Sequence, residues 1–298
     1  MYQAPILCLG GANLDIKCRL SGTANGSSDP ADIRMSPGGV ARNVAHNLAL
    51  LGHSISLVTV LANDSFATLI KENAPEKLSF DQAITIDEGR SGVYCAILDQ
   101  CGELIQAASD MNILSELTPE RLDAIPLSLF SFIFAECNLS EESLAFLIRK
   151  SEGIPLLIDP VSKVKAVKLK KLLGMRPLFL TPNREELEIL AGKESIRTDA
   201  DLIAACDKLH DQDVSTILVG LGKEGAFLSD IREGQLRISP DELDIKDVTG
   251  AGDAACAGFI HGLIQKMDLN RIIQFSQRAA SLACKSETSI AEGLSHIC

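Results

Sequence analysis

A short run of small residues that ends in an acid is the strongest chemical signal in this sequence of 298 residues. The run is Thr249-Gly250-Ala251-Gly252-Asp253, and an apolar stretch with helical character follows it. Small side chains let backbone N–H groups come close to a ligand, and the N-terminus of a helix favours an anion. Such a turn suits the charge on a transferring phosphoryl group, beside which Asp253 could accept the proton of an attacking hydroxyl. The alternative is an aspartate that only caps the helix.

Two further segments could bind the hydroxyl groups of a sugar. In Ser36-Pro37-Gly38-Gly39-Val40-Ala41-Arg42-Asn43, paired glycines precede a helix, and the Asn43 amide can both donate and accept hydrogen bonds. Asn13 and Asp15 follow the first strand, where open α/β sheets bind ligands, and a carboxylate there could hold a vicinal diol. A plain turn from loop to helix and a solvated loop aspartate are the respective alternatives.

A fourth segment is suited to a divalent cation. It is Thr181-Pro182-Asn183-Arg184-Glu185-Glu186, which follows a strand and opens a helix. Because Asn183 and Glu186 are three residues apart, both can face the strand ends, where their oxygen atoms would suit Mg²⁺ held through water. The alternative is a capping box, in which Asn183 caps the helix and Glu186 reaches back to it.

The glycine-rich run Gly220-Leu221-Gly222-Lys223-Glu224-Gly225 matches the pattern G-x-G-x-x-G. A dinucleotide site needs a helix after this pattern, whereas Ala226-Phe227-Leu228-Ser229 predicts a strand. We therefore expect a glycine turn that lines a nucleotide. The sequence contains no G-x-x-x-x-G-K-[ST] run and no G-x-S-x-G run, which argues against a P-loop enzyme and against a hydrolase. Its five histidines share no metal-ligand spacing.

Strands and helices alternate along most of the chain, which predicts a parallel sheet covered by helices on both faces. The expected strands cover residues 6–9, 55–61, 132–134, 155–158, 178–180 and 216–219. The expected helices cover residues 41–51, 119–124, 140–151, 163–173, 184–191, 199–210, 250–266 and 270–285. Two segments differ: 13–35 predicts irregular structure with short exposed strands, and 83–108 predicts three strands. Together they could form a small sheet outside the main domain.

The composition argues against some partners and indicates a compartment. The chain carries a net charge of -12 and a pI of about 4.9, which disfavours nucleic acid and anionic membranes as partners. Its nine cysteines are odd in number and include no Cys-x-x-Cys pair. The sequence shows neither a signal peptide nor an apolar run long enough to cross a bilayer, and so we predict a cytoplasmic protein.

Taken in order, these runs resemble the PfkB (ribokinase-like) family of carbohydrate and nucleoside kinases over nearly the whole chain. The segment around Gly38-Gly39 and the segment Asp247–Asp253 match its two signature motifs. The resemblance implies a single domain over residues 1–298: a three-layer α/β/α sandwich with a mostly parallel central sheet and a small β-sheet lid from about 13–35 and 83–108. It also implies ATP, Mg²⁺ and K⁺ as cofactors, and a homodimer formed through the lid.

The resemblance further implies a role for each matching residue. Asp253 would be the base, and the N–H groups of Gly250, Ala251 and Gly252 would bind the developing anion. The substrate would contact Asn13, Asp15, Gly38, Gly39, Arg42, Asn43 and Lys165. The nucleotide would contact Asn183, Gly220, Gly222, Gly225 and Thr249. Mg²⁺ would be organised by Asn183 and Glu186, and a monovalent cation would be held by Asp247, Thr249 and Ser289.

Within the family, the runs are most similar to those of pseudouridine kinases, and Arg42 stands where ribokinases usually carry a small residue. The runs concerned are Gly10–Lys17, Pro37–Asn43, Ser109–Ile113 and Asp159–Ser162. One departure is that Ala62 and Ala67 stand where the family often has glycine. The resemblance implies ATP-dependent phosphorylation of the 5′-hydroxyl of pseudouridine. The alternatives are a kinase for another nucleoside or a free sugar, and a non-catalytic nucleoside-binding protein with the same fold.

Overall fold

The computed structural model describes residues 4–23, 28–240, 248–286 and 288–296. Within these ranges, strands and helices alternate over most of the chain, as the sequence predicts. The strands are β1 (Ile6–Leu9), β2 (Asn13–Leu20), β3 (Ala31–Gly38), β4 (Ile55–Val58), β5 (Val60–Ala62), β6 (Leu78–Ser79), β7 (Ile84–Ile86), β8 (Gly92–Leu98), β9 (Leu104–Asp110), β10 (Phe132–Glu136), β11 (Leu156–Asp159), β12 (Leu178–Leu180), β13 (Val214–Gly220), β14 (Ala226–Asp230) and β15 (Gly234–Ile238). The helices are α1 (Val40–Leu50), α2 (Ser65–Glu72), α3 (Pro119–Asp123), α4 (Glu141–Lys150), α5 (Lys163–Lys170), α6 (Arg184–Ala191), α7 (Asp199–His210), α8 (Ala251–Ile264) and α9 (Leu269–Lys285).

The central sheet has the strand order β15-β14-β13-β12-β11-β10-β1-β4-β6. Its strands from β13 to β6 are parallel, and β14 and β15 add an antiparallel edge. Successive residues of β1 point to opposite faces: Ile6 and Cys8 pack in the layer of α1, α8 and α9, and Leu7 and Leu9 pack in the layer of α3 to α7. The sheet is therefore covered on both sides, and the predicted three-layer sandwich is confirmed.

A second sheet forms the lid, with the strand order β3-β2-β8-β9. Here the prediction of irregular structure over 13–35 is wrong, because β2 and β3 are each eight residues long. The physical reason is that β2 is paired along its length on both edges, antiparallel to β3 and parallel to β8, so that the weakly alternating sequence gains ladder hydrogen bonds. Residues 24–27 lie outside the described ranges.

The segments around the lid show two further differences from the sequence prediction. Residues 55–61 were expected to form one strand, but β4 pairs with β1 in the central sheet, whereas β5 pairs with β7 in a separate two-stranded sheet. Because β7 lies in that separate sheet, only the part of 83–108 from Gly92 onward contributes strands to the lid.

The carboxyl ends of the parallel strands meet at one edge of the central sheet. At this edge β1 runs through Gly10 and Gly11 into the lid, β10 ends at Glu136 and β11 ends at Asp159. An isolated bridge joins Asn183, after β12, to Gly220 at the end of β13. Open α/β sheets bind ligands at this edge, so the topology brings the predicted binding segments together.

Two findings relate to the prediction of compartment. Every cysteine in the described ranges is a free thiol, and several of them are buried in the core. No helix in the same ranges combines the length and the apolar character that a membrane span requires.

Candidate active site

Asp253 is the third residue of α8 and lies in the first turn of that helix. Gly250 precedes the helix with φ of 82°, a conformation that favours glycine. A Cβ atom at this position would lie 2.2 Å from the carbonyl oxygen of Ser289, so a side chain cannot be accommodated without movement of the backbone. The turn therefore exposes backbone rather than side chains at the start of α8, as an anion-binding turn requires.

Asn43 connects Asp253 to the lid side of the site. Its Nδ2 donates a hydrogen bond of 2.8 Å to Asp253 Oδ2. The start of α1 is held by Gly39, which has φ of 99° and approaches the chain so closely that a Cβ atom would lie 2.4 Å from the carbonyl oxygen of Gly11. The paired glycines thus bring α1 against the turn that follows β1, and they set Asn43 beside Asp253.

Asp15 and Asn13 form a buried polar pair at the base of the lid. Asn13 Nδ2 donates to Asp15 Oδ1 at 2.6 Å, and both residues are buried. A Cβ atom at Gly38 would lie 2.2 Å from Asp15 Oδ2, so the backbone of Gly38 lies directly against this carboxylate. Desolvation raises the pKa of Asp15, and the Asn13 hydrogen bond and the charges of Lys17 and Arg42 oppose that rise.

Arg42 is buried among these residues, with only 2% of its surface exposed. Its Nη1 lies 3.3 Å from the carbonyl oxygen of Pro37 and 3.3 Å from Asn43 Oδ1, while its Nε is buried without a hydrogen-bond partner among the described residues. Desolvation lowers the pKa of Arg42 to about 10, and the neighbouring Asp15 carboxylate opposes this shift. The guanidinium is thus charged at neutral pH and is packed against the substrate-binding residues predicted from the sequence.

The electrostatics of Asp253 suit a general base. Desolvation raises its pKa to about 7, the Asn43 hydrogen bond opposes that rise, and the nearby charges of Glu136 and Asp15 add to it. A base whose pKa lies close to the working pH is ionised and still accepts a proton readily. The alternative role of a helix cap is not what the structure shows, because no side chain caps the start of α8.

Glu136 is a buried acid in the site that the sequence patterns did not single out. It ends β10, is 0% exposed, and accepts hydrogen bonds from the backbone N–H of Gly11 at 2.6 Å and of Asn138 at 2.8 Å. Lys165 donates through Nζ to Asn138 Oδ1, which places this lysine close to Glu136. The sequence feature that could have identified Glu136 is an acidic residue at the carboxyl end of a buried strand.

On the other side of Asp253 lies a cavity of about 540 Å³. The glycine turn predicted to line a nucleotide, Gly220 to Gly225, forms part of its wall, and Gly252 and Asp253 form another part. Helix α9 closes the cavity with residues that the sequence did not single out: Gln277, Ala280, Ser281 and Cys284. Ser281 Oγ is buried and has no hydrogen-bond partner among the described residues, so it can serve a ligand in this cavity.

Asn183 and Glu186 line the same cavity and form the capping box that was the alternative interpretation of their spacing. Asn183 Oδ1 accepts from Glu186 N at 2.9 Å, and Glu186 Oε2 accepts from Asn183 N at 2.9 Å. Asp159 lies close by and accepts from Thr181 Oγ1 and from Val161 N, each at 2.8 Å. Desolvation raises the pKa of Asp159 well above its usual range, and the charges of Glu186 and Asp253 add to this effect.

The carboxylates of Asp159 and Glu186, with the amide oxygen of Asn183, fit a divalent cation bound with phosphate. Like charges that share one wall are stabilised by a cation between or beside them. Within the described ranges, no group of three or more His, Cys, Asp or Glu residues is arranged to hold a metal ion directly. Mg²⁺ retains several waters and is normally bound through one or two carboxylates and substrate phosphates, so the donor set fits that ion.

The residues predicted for a monovalent cation are only partly described. Asp247 lies outside the described ranges. Thr249 precedes α8, and its Oγ1 accepts a hydrogen bond of 3.2 Å from Lys17 Nζ of the lid. Ser289 is 2% exposed, and its Oγ has no hydrogen-bond partner among the described residues. Its carbonyl oxygen is the atom that forbids a side chain at Gly250, so Ser289 adjoins the turn at the start of α8.

Comparison with known proteins shows the family of the chain. The model of the pfkB family of carbohydrate kinases matches residues 3–295. The pseudouridine kinase of Escherichia coli (strain K12) is 32% identical over 287 residues, which are 95% of this chain and 91% of that protein.

Solved structures show the same fold. A carbohydrate kinase from Agrobacterium tumefaciens is 28% identical, with a TM-score of 0.81 over 98% of this chain and 94% of that one. A ribokinase from Arabidopsis thaliana complexed with ribose and ATP is 20% identical, with a TM-score of 0.79 over 97% of this chain and 96% of that one. The expected ribokinase-like fold is therefore confirmed.

Proposed function

Because the chain belongs to the PfkB family of carbohydrate and nucleoside kinases, we propose that it transfers the γ-phosphoryl group of ATP to the 5′-hydroxyl of pseudouridine. The products are pseudouridine 5′-phosphate and ADP. The observation that carries this proposal is the position of Asp253, which lines the cavity on one side and is bonded to Asn43 on the other. The choice of pseudouridine is supported by the similarity to a protein of that activity over nearly the full length of both chains.

The sugar binds beneath the lid. Asp15 and Asn13 accept and donate hydrogen bonds to the vicinal diol of the ribose, and the backbone at Gly38 and Gly39 leaves room for the ring. Asn43 donates to Asp253 and contacts the same sugar. Lys165, which already bonds Asn138, lies toward the uracil ring of the nucleoside, where a cation can face a carbonyl oxygen of that ring.

In the transfer itself, the 5′-oxygen attacks the γ-phosphorus while its proton passes to the carboxylate of Asp253. The bond between the γ-phosphorus and the bridging oxygen breaks, and ADP leaves with that oxygen. The N–H groups of Gly250, Ala251 and Gly252 at the start of α8 bind the equatorial oxygens as charge develops. Most of the acceleration comes from positioning and charge stabilisation rather than from covalent chemistry.

The nucleotide occupies the cavity of about 540 Å³. Its phosphates and ribose are lined by Gly220, Gly222, Gly225, Asn183 and Thr249. Helix α9 faces its adenine ring. Mg²⁺, when bound, neutralises the charge of the phosphates, and Asn183, Glu186 and Asp159 would hold it through water. Lys17 adds a positive charge from the lid beside the turn that carries Thr249.

A monovalent cation such as K⁺ is proposed at Ser289, Thr249 and Asp247. The support is the buried Oγ of Ser289, which has no hydrogen-bond partner among the described residues. Activity measured in K⁺ and in a bulky cation at equal ionic strength tests this site. Equal rates in both salts would argue against it.

We also propose that two copies of the chain pair through the outer face of the lid. Strand alternation puts Ile16, Cys18, Ile33, Met35 and Ile97 on the face opposite Asp15. Ile33 is 62% exposed and Met35 is 60% exposed, which is a large apolar surface for a monomer to leave in water. Sedimentation of wild type and of an Ile33→Lys variant tests the pairing, and a wild type that sediments as a monomer would disprove it.

The free cysteines fit the predicted location in the cytoplasm.

A panel of acceptors tests the substrate. Purified protein is supplied with ATP and with pseudouridine, uridine, adenosine, ribose or fructose, and kcat/KM is compared. We expect pseudouridine to be preferred. A kinase for another nucleoside or for a free sugar is the second candidate, because the same fold holds ribose with ATP in the Arabidopsis ribokinase. Preference for any other acceptor would refute pseudouridine as the substrate and leave the kinase mechanism in place.

A further inference from the structure

Two hydrogen bonds in series connect a buried arginine to the proposed base. Arg42 Nη1 lies 3.3 Å from Asn43 Oδ1, and Asn43 Nδ2 lies 2.8 Å from Asp253 Oδ2. We propose that Arg42 is a positioning residue that fixes the side-chain amide of Asn43, so that its NH₂ group donates to the Asp253 carboxylate. This inference rests on the proposed function, in which Asp253 is the base.

The donors and acceptors along this series allow only one orientation of the Asn43 amide. A guanidinium has donors and no acceptor, whereas an ionised carboxylate has acceptors and no donor. The amide oxygen must therefore face Arg42, and the amide nitrogen must face Asp253. Without Arg42, the amide could turn over and present its oxygen to the carboxylate, which would disfavour the ionised form of Asp253.

The surroundings of Arg42 favour an indirect role over contact with the substrate. The guanidinium is buried by the protein itself, and its other contact is the carbonyl oxygen of Pro37. Arg42 also does not line the cavity of about 540 Å³, so a nucleotide bound there would not contact it. Its neighbour on α1, His46, has a pKa lowered to about 3 by burial and by the charge of Arg42, so Arg42 is the charged partner on this helix.

Asp253 needs a donor because acids surround it. Asp15 from the lid and Glu136 from β10 raise its pKa through their charge, and Asp253 in turn raises the pKa of Asp159 from β11 through its own charge. The hydrogen bond from Asn43 on α1 opposes these charges. Loss of the donor would therefore leave Asp253 protonated over a wider range of pH, where it cannot act as a base.

The test is a double-mutant cycle read by the pH profile of kcat/KM. In Arg42→Met and in Asn43→Ala, we expect the acidic limb to move to higher pH by about one unit, since a hydrogen bond to a charged group is worth roughly that much. At a given pH below the limb, kcat/KM of these variants should then be about tenfold lower than that of wild type. In the Asn43→Ala background, adding Arg42→Met should move the limb no further, because the group through which Arg42 acts is already absent.

Arg42→Lys and a control arginine separate positioning from packing. Arg42→Lys restores a buried charge and a donor, so its limb should lie between those of wild type and Arg42→Met. Arg176 is partly buried at the opposite edge of the sheet, where Nη1 donates to Ser151 Oγ at 2.7 Å and Nη2 donates to the carbonyl oxygen of Ile154 at 2.6 Å. Arg176→Met removes a partly buried, hydrogen-bonded guanidinium far from Asp253 and should leave the limb unchanged.

The outcomes distinguish this inference from the proposed function. If wild type transfers no phosphoryl group to any acceptor of the panel, the proposed function fails. If wild type is active and depends on Asp253, but Arg42→Met leaves the limb in place or adds fully to Asn43→Ala, the positioning role of Arg42 is wrong. If Arg42→Met does not fold, Arg42→Lys decides: a limb that coincides with that of Asn43→Ala, or with that of wild type, overturns the role.

Discussion

Asn43 and Asp253 lie 210 residues apart in the sequence, yet Asn43 Nδ2 is 2.8 Å from Asp253 Oδ2. This hydrogen bond joins α1 to α8. In the proposed mechanism α1 begins at the sugar side and α8 at the phosphate side, so that both substrates of the transfer would reach one carboxylate. The pKa of that carboxylate, raised to about 7 by desolvation and neighbouring acids, gives the first prediction.

The acidic limb of the pH profile should lie near pH 7. Since the base must be ionised, kcat/KM should rise as the pH increases through about 7 and level off above it. In Glu136→Gln, the loss of a neighbouring negative charge should move the limb to lower pH. A limb that stays in place in Glu136→Gln would show that another group, such as a phosphate of ATP, titrates instead.

Lys17→Met should lower kcat more than it changes the KM for the nucleoside. Lys17 Nζ lies 3.2 Å from Thr249 Oγ1, beside the turn that binds the developing anion, so its charge acts on the transferring group rather than on the sugar. We expect a loss of roughly tenfold to a hundredfold in kcat. Lys71→Met on the exposed surface of α2 is the control and should leave both constants unchanged. A tenfold to hundredfold rise in the KM for the nucleoside with an unchanged kcat would contradict this role.

Gly250→Ala should abolish most activity, whereas Gly174→Ala should not. Both glycines have a similar φ, 82° and 81°, so an alanine bears a similar backbone cost at either site, about 1 kcal/mol. At Gly174 the new Cβ meets open space, but at Gly250 it would lie 2.2 Å from the carbonyl oxygen of Ser289. Comparing kcat and Tm for the two variants separates the effect of the contact with Ser289 at the start of α8 from the backbone cost that both variants share. Similar kcat values for both would contradict the anion-binding turn.

The buried pair His53 and His261 should make the fold sensitive to acid. His53 Nε2 lies 2.9 Å from His261 Nδ1, and one ring must accept the hydrogen bond in its neutral form. Desolvation lowers the pKa of His53 to about 4, with the charges of His261 and Lys77 adding to the shift, and desolvation also lowers that of His261.

Because the folded-state pKa values lie below the unfolded value, the contribution of this pair to stability is complete above about pH 6.5. It is lost progressively as the pH falls from there toward about 4. The fall in Tm between about pH 7.5 and about pH 5 should be smaller by a few degrees in His53→Gln than in wild type. His296→Gln, at an exposed position, is the control and should match wild type. An identical fall in His53→Gln would refute the prediction.

Local patterns predicted the parts of the site that rest on short-range physics. Gly250, Asp253, Asn183 and Glu186 belong to helix starts, where the sequence itself determines the turn and the cap. The lid was harder to predict because the strand character of 13–35 arises from pairing with β8, a segment distant in sequence. Periodicity within a window contains no information about such a partner.

Glu136 and Arg42 show a second limit of prediction from the sequence. Glu136 ends a buried strand and acquires its significance from Gly11, which lies 125 residues away. Arg42 is predicted to contact the substrate, and its burial depends on how α1 packs against α8 and on its contact with Pro37. Charge, burial and hydrogen-bond direction at such positions depend on tertiary contacts, which a single sequence does not specify.

The turnover of Asp253→Asn tests the central claim most directly. The substitution keeps the size of the side chain and removes the base. Single-turnover transfer from ATP to pseudouridine should slow by at least about a thousandfold, while the Kd for pseudouridine changes little, because general base catalysis is lost and the sugar contacts remain. A variant that binds pseudouridine and transfers the phosphoryl group at a rate close to that of wild type would contradict the claim that Asp253 is the base.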